Sequence, residues 1–264
     1  MSHLKSAPSL NRRALIGGLV AAPVVLRFGR ASAGGAYLFP LGVASGDPWP
    51  DGFVLWTRLA ADPIAPDGLG GLSAPIDVLW EVARDERFIH IAAAGRTTAD
   101  AATAHAVHIE VQGLNPGRPY WYRFTAAGQQ SPVGLARTAP APNAEVDRLR
   151  LAVASCSNWE VGYFSAYGHM ADEAPDLTLF LGDYIYEYSR RGDRAANNVR
   201  NYGFEDATTL AGYRNRYALH RTDADLQRLH AAAPCLVVWD DHEVLNNYSG
   251  VWTDGDDAPR AFLQ

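Results

Sequence analysis

Three short apolar runs, each closed by polar side chains, constrain this chain more than any other feature. They are Leu149-Arg150-Leu151-Ala152-Val153-Ala154, Leu177-Thr178-Leu179-Phe180-Leu181 and Cys235-Leu236-Val237-Val238-Trp239. Each has the length of a buried strand. Helix-like stretches lie between them, at Gly162–Glu173, about Thr208–Leu219 and Ala224–Ala232, with Phe164, Tyr167 and Ala171 on one face of the first. The third run is expected to be as buried as the others. Strand–helix–strand–helix–strand predicts an α/β fold with a parallel sheet covered on both faces. Sites in such sheets lie beyond the carboxyl ends of the strands. The closing clusters fall there: Ser155-Cys156-Ser157-Asn158, then Gly182-Asp183-Tyr184-Ile185-Tyr186-Glu187, then Asp240-Asp241-His242-Glu243.

The preceding segment has a different grain. Val107-His108-Ile109-Glu110-Val111 alternates with period two, and Tyr120-Trp121-Tyr122-Arg123-Phe124 is aromatic and β-prone. Between them, Leu114-Asn115-Pro116-Gly117-Arg118-Pro119-Tyr120 has the spacing of a tyrosine corner. Residues 37–139 are therefore expected to form a β-sandwich of the fibronectin III or immunoglobulin-like kind, with Trp80 as a core aromatic. Thr138-Ala139-Pro140-Ala141-Pro142-Asn143 marks a linker. The catalytic domain is expected over 146–264, interrupted by an irregular Arg/Asn-rich insert at Ser189–Asp206.

Residues 1–33 read as a targeting segment. Asn11-Arg12-Arg13 precedes an apolar stretch, Ala14 to Leu26, and Ala31-Ser32-Ala33 supplies a cleavage pattern. Paired arginines point to twin-arginine export, so the machinery of that route is an expected partner; an ordinary secretory signal or an uncleaved anchor is the alternative. The stretch is too short for a stable membrane span. A periplasmic or extracellular location follows. These residues hold five of the 23 basic side chains and no acid, leaving 18 basic against 29 acidic ones. That balance argues against nucleic-acid binding through a broad basic face.

The polar clusters carry the chemistry. Gly182 lets the backbone turn so that Asp183 points into a crevice, where one carboxylate can bridge two cations. Tyr186 becomes a ligand only beside a hard trivalent ion, which favours iron over zinc. Cys156 offers a thiolate, or else pairs with Cys235. Asp240 and Asp241 repel each other unless a cation or an arginine stands near. His242 is a metal ligand or a donor to a phosphate oxygen. Asn158, Asn246 and Asn247 are turn residues or further oxygen donors. Arg190, Arg191 and Arg194 are within reach of a phosphate or belong to a basic loop. Together the set suggests hydrolysis with two or three metals, a metal-bound hydroxide attacking an ester in line.

Several long motifs in order resemble the alkaline phosphatase D family. Phe39-Pro40-Leu41-Gly42-Val43-Ala44-Ser45-Gly46-Asp47-Pro48 with Asp51-Gly52-Phe53-Val54-Leu55-Trp56-Thr57-Arg58-Leu59 looks like its opening. The three strand-end clusters, with Gly162-Tyr163-Phe164, look like its catalytic motifs. The resemblance implies an exported phosphatase or phosphodiesterase acting on phosphate mono- or diesters. It implies a β domain followed by an αββα metallophosphoesterase-like domain using Fe(3+) and Ca(2+). By position, Cys156, Asp183 and Tyr186 match iron ligands, with Asp183 bridging to calcium and Asp241 on the calcium side. His242 matches the catalytic histidine of an Asn-His-Glu element, with Asp241 in place of Asn. Family members continue past the third motif, so the resemblance implies an incomplete catalytic domain with further ligands beyond Gln264. The competing expectation is an inactive truncated product that keeps only a β-sandwich binding module.

Overall fold

A computed structural model describes residues 35–248. The targeting segment, residues 1–33, and the terminal stretch 258–264 lie outside the described residues. Eight strands come first: β1 (Val43–Trp49), β2 (Gly52–Arg58), β3 (Ile76–Ala83), β4 (Ile91–Ala99), β5 (Ala106–Val111), β6 (Pro119–Ala126), β7 (Gln129–Gln130) and β8 (Gly134–Arg137). Then follow β9 (Leu151–Ala154), α1 (Ser165–Asp172), β10 (Leu177–Leu181), α2 (Leu210–Arg221), α3 (Ala224–Ala232) and β11 (Cys235–Val238). Among the described residues, no helix is long and apolar enough to cross a membrane.

The strands build two sheets. One is ordered β4-β3-β6-β7, with β8 on β6; the other is β5-β2-β1-β11-β10-β9. Period-two burial explains the first core. Tyr120, Tyr122, Phe124 and Ala126 alternate inward on β6 and meet Val43, Phe53, Leu55, Val107 and Val111 of the second sheet. The Tyr120 hydroxyl reaches back to Asn115, accepting from its N–H at 2.9 Å and donating to its carbonyl, which closes the 114–120 corner. Trp80 is not a fully buried core residue. It is half-buried, lying across Gly95, where a Cβ would come within 2.6 Å of the indole. The glycine makes room for a ring that packs against the first core from the face Val78 and Val82 share.

The second sheet runs without a break across the Pro-rich linker. β1 is antiparallel to β2 but parallel to β11, through Gly46 and Cys235. β9, β10 and β11 are mutually parallel, as strands joined by helices must be. Local chemistry starts the helices: Thr209 caps α2 through the Gly212 N–H, and Asp223 caps α3 through Asp225 and Leu226. The insert is tied down by Arg216, fully buried on α2. Its guanidinium donates to the carbonyls of Glu187 and Glu205 and to Ser189 Oγ, and stacks 3.5 Å from the Tyr202 ring centroid.

Among the described residues, the helices cover one face of the parallel strands. Phe180 on one face packs with Trp159, Phe164, Tyr167, Tyr202, Leu226 and Leu229 beneath the helices. Register puts Leu151, Val153, Leu179, Leu181, Leu236 and Val238 on the other. There Val153 is 49% exposed, Leu181 51% and Val238 55%. Among the described residues, β11 is also less buried than its composition predicts, and β1 pairs with it only at Cys235. Val237 is 68% and Trp239 71% exposed. Among the described residues, all three helices serve one face.

Candidate metal site at the strand ends

The carboxyl ends of β9, β10 and β11 deliver the three polar clusters to one place. The turn after β9 runs alongside the loop after β10: Cys156 N–H donates to the Gly182 carbonyl at 3.2 Å and Ser157 N–H to the Asp183 carbonyl at 2.7 Å. Holding both loops this tightly requires unusual backbone. Cys156 has φ 55°, Asp183 φ 51° and Gly182 φ 85°. Left-handed conformations at two non-glycine residues cost of order 1–3 kcal/mol each and persist where the surroundings enforce them. Gly182 is obligatory for a second reason. A Cβ there would lie 2.4 Å from the Asp240 Cβ, so glycine is what lets the β10 and β11 loops close together.

Glu243 fastens that closure. Its carboxylate accepts from the backbone N–H groups of Asp183, Tyr184 and Asp240, at 3.1 Å for Asp183 and 2.7 Å for Asp240. Asp240 itself is exposed and points no ligand inward with the others.

Asp183, Asp241 and His242 converge. One ligand atom from each lies within 4.8 Å of the others. Tyr186 and Cys156 border this group. The Tyr186 hydroxyl donates to Asp183 Oδ2 at 3.1 Å, and its ring lies 4.2 Å from the His242 ring, centroid to centroid. The Cys156 thiol interacts with both Asp183 and Tyr186. Cys156 and Cys235 are both free thiols. The Cys235 thiol instead faces the Ser45 carbonyl at 3.4 Å, on the side where β1 meets β11.

The electrostatics are those of a site short of positive charge. Burial raises the Asp183 pKa, Asp241 pushes the same way, and Tyr186, His242 and Cys156 only partly offset them. Burial and the Asp183 charge also hold the Tyr186 phenol well above its ordinary value. Asp241 is displaced downward: burial opposes ionisation, but the Asn247 N–H and the neighbouring His242 outweigh it. Burial works against a charged His242 too, yet bonding to Glu187 and the surrounding carboxylates raise its pKa overall.

A cation fits these residues. Asp183 is 7% exposed, and its Oδ1 is buried with no hydrogen-bond partner while Oδ2 takes the Tyr186 hydroxyl. An ionised oxygen left so is costly unless a positive charge meets it. The donor set of carboxylates, imidazole, phenol and thiol suits a hard or borderline ion better than a purely thiolate-seeking one.

Two functional side chains were not visible as such in the sequence. Glu187 binds His242 Nδ1 at 2.8 Å, and Glu243 binds only backbone. The available signal was Glu187 closing the aromatic run Tyr184–Tyr186, since an acid in such a run needs a partner. Arg191 pairs with Asp206 at 3.1 Å, within the insert. Arg190 and Arg194 lie near enough to Tyr188 to lower its pKa, although burial and Glu187 raise it overall. A cleft of about 930 Å³ opens elsewhere, at the amino-terminal end of the parallel strands beside Trp49, Leu177 and Pro234. It contains none of the converging ligands, so the chemistry is assigned to the strand-end loops.

The chain is similar in sequence and fold to known phosphatases. Residues 151–263 match the family model described as PhoD-like phosphatase, and residues 26–140 match the PhoD-like phosphatase N-terminal domain. Alkaline phosphatase D of Bacillus subtilis (strain 168) is 47% identical over 229 residues, covering 86% of this chain. The chain spans 39% of that relative's length. A solved structure titled "Structure of PhoD" is 48% identical, with a TM-score of 0.78, over 84% of this chain and 42% of the other.

Proposed function

From the premise that this chain belongs to the PhoD-like phosphatase family, we propose that its strand-end loops are part of a metal-dependent centre for hydrolysis of phosphate mono- or diesters. The observation carrying this is the convergence of Asp183, Asp241 and His242 within 4.8 Å around a buried, unpartnered carboxylate oxygen. Asp183, Tyr186 and Cys156 are assigned to the iron side, with Asp183 shared and Asp241 on the calcium side. Bound Fe(3+) and Ca(2+) would neutralise the charge on the phosphoryl oxygens and so favour in-line attack.

The protein's own residues prepare that chemistry. Asp183 brings negative charge to the centre and Tyr186 keeps one of its oxygens oriented. His242 is the catalytic histidine: with Nδ1 engaged by Glu187, Nε2 is the nitrogen left for the reaction. The neutral ring offers a lone pair there, and the protonated ring a hydrogen bond to a phosphoryl oxygen. Glu243 keeps the β10 and β11 loops together so that these groups stay in register. Residues 37–139 are assigned as a fibronectin III or immunoglobulin-like sandwich, and 146–264 to a metallophosphoesterase-like domain. The Arg12-Arg13 segment supports export by the twin-arginine route and a periplasmic or extracellular location.

The test is p-nitrophenyl phosphate hydrolysis by the protein before and after chelation, and by Asp183→Ala. Turnover should disappear in both cases and return to the chelated wild type, but not the variant, when metal is restored. Turnover that survives chelation or the substitution contradicts the assignment.

A further inference from the structure

We propose that Glu187 is the positioning residue of this centre: its two carboxylate oxygens together fix the tautomer of His242 and the seat of the loop that carries it. The inference rests on the assignment of Asp183, Asp241 and His242 as a cation site.

Glu187 is 3% exposed, and both of its oxygens are engaged. Oε2 meets His242 Nδ1 at 2.8 Å; Oε1 accepts the Asn246 backbone N–H at 3.0 Å. The residue is held from its own backbone as well. Its carbonyl accepts from Ala207 N–H at 2.7 Å and from the buried Arg216 guanidinium at 3.1 Å. The chain therefore passes from α2 through Glu187 to His242 by direct hydrogen bonds. A buried carboxylate with two donors is satisfied; with one it is not.

A carboxylate only accepts, so the His242 nitrogen facing it must carry the proton. In the neutral ring this leaves Nε2 unprotonated, and Nε2 is the ring nitrogen that remains for Asp183, Asp241 and their cation. Glutamine cannot reproduce this. Its single carbonyl oxygen serves either Nδ1–H or the Asn246 N–H. The backbone proton cannot move, whereas the imidazole can carry its proton on Nε2. Glu187→Gln should therefore exchange the tautomer and block the nitrogen meant for the crevice, while Glu187→Asp keeps two acceptors.

The experiment is nitrogen-15 NMR of the imidazole rings in the metal-free full chain, recorded above the pH at which the His242 signals stop shifting, because Glu187 and the nearby carboxylates raise its pKa. His242→Gln assigns the signal among the eight histidines. Wild type should show Nδ1–H with a free Nε2, Glu187→Gln should show Nε2–H, and Glu187→Asp should restore the wild-type pattern. Calcium affinity by calorimetry should fall about 10–100-fold in Glu187→Gln. A wild-type His242 protonated on Nε2, or a Glu187→Gln spectrum unchanged from wild type, overturns the proposal. The wild-type spectrum decides even if a variant fails to fold. A tautomer exchange with no calcium binding by any of the proteins would support the positioning role and count against the cation site.

Discussion

Strand β6 and the parallel strands β9–β11 both carry apolar side chains and differ in how those side chains are covered. In β6, Tyr122 and Phe124 are completely buried between the sheets. In β9–β11, a row of leucines and valines on one face is left 38–55% exposed where it reaches Leu151, Val153, Leu181, Leu236 and Val238. Composition identifies both as strands. Which face is covered depends on partners that a strand's own residues do not name. The alternation in β6 shows one buried face because its other positions are polar or amphipathic. The unbroken apolar runs in β9–β11 declare two faces fit for burial, and the described helices cover one of them.

Substitutions can break this contrast. Phe124→Ala should cost about 3–5 kcal/mol in urea unfolding, the cost of emptying a packed aromatic site. A loss under 1 kcal/mol would mean that the first core is much looser than its burial indicates. Gly182→Ala, at the junction of covered face and site, should cost about 1–3 kcal/mol, because it adds a methyl against Asp240 at φ 85°. It should also weaken metal binding, and an unaltered melt would show that the two loops are not so closely pressed.

His220 reports how deep the covered side is. It is fully buried, and burial first, then Arg200 and Arg216, lower its pKa from 6.5 to about 3. The folded value lies below the unfolded one, so the unfolded chain binds more protons between them. Stability linked to this group is full above 6.5 and is lost as pH falls toward about 3. His220→Phe should be within about 1.5 kcal/mol of wild type at neutral pH, as a near-isosteric exchange. It should lose less stability than wild type on acidification, read as the difference between their urea midpoints at each pH. Parallel acid limbs would contradict the neutral, buried ring. The smallest effect belongs to the face that the described helices leave open: Val238→Thr should lie within about 0.5 kcal/mol of wild type. A cost above about 2 kcal/mol would show that this face is covered in solution.

Much of the fold was legible. The apolar runs locate β9, β10 and β11, and the Leu114–Tyr120 spacing anticipates the hydroxyl-to-backbone corner that Tyr120 makes. The parallel pairing of Gly46 with Cys235 was not legible, since a link between segments so far apart leaves no local periodicity. Nor was which face the described helices cover, because unbroken hydrophobicity looks the same whether one side or two are packed. At the site, the sequence offered the right kinds of side chain at strand ends, but not who holds them. Glu243 acts through backbone N–H groups, which every residue possesses and no motif displays. Glu187 meets His242 only after two loops have folded together.

A cation site assembled by three strand-end loops has a direct chemical signature. The most direct measurement is the iron and calcium content of the purified protein by elemental analysis, wild type beside Asp183→Ala and His242→Ala. Wild type should retain both metals through dialysis, and both variants should lose them while keeping a cooperative melt. A wild-type protein that retains neither metal, or folded variants that retain as much as wild type, would contradict it.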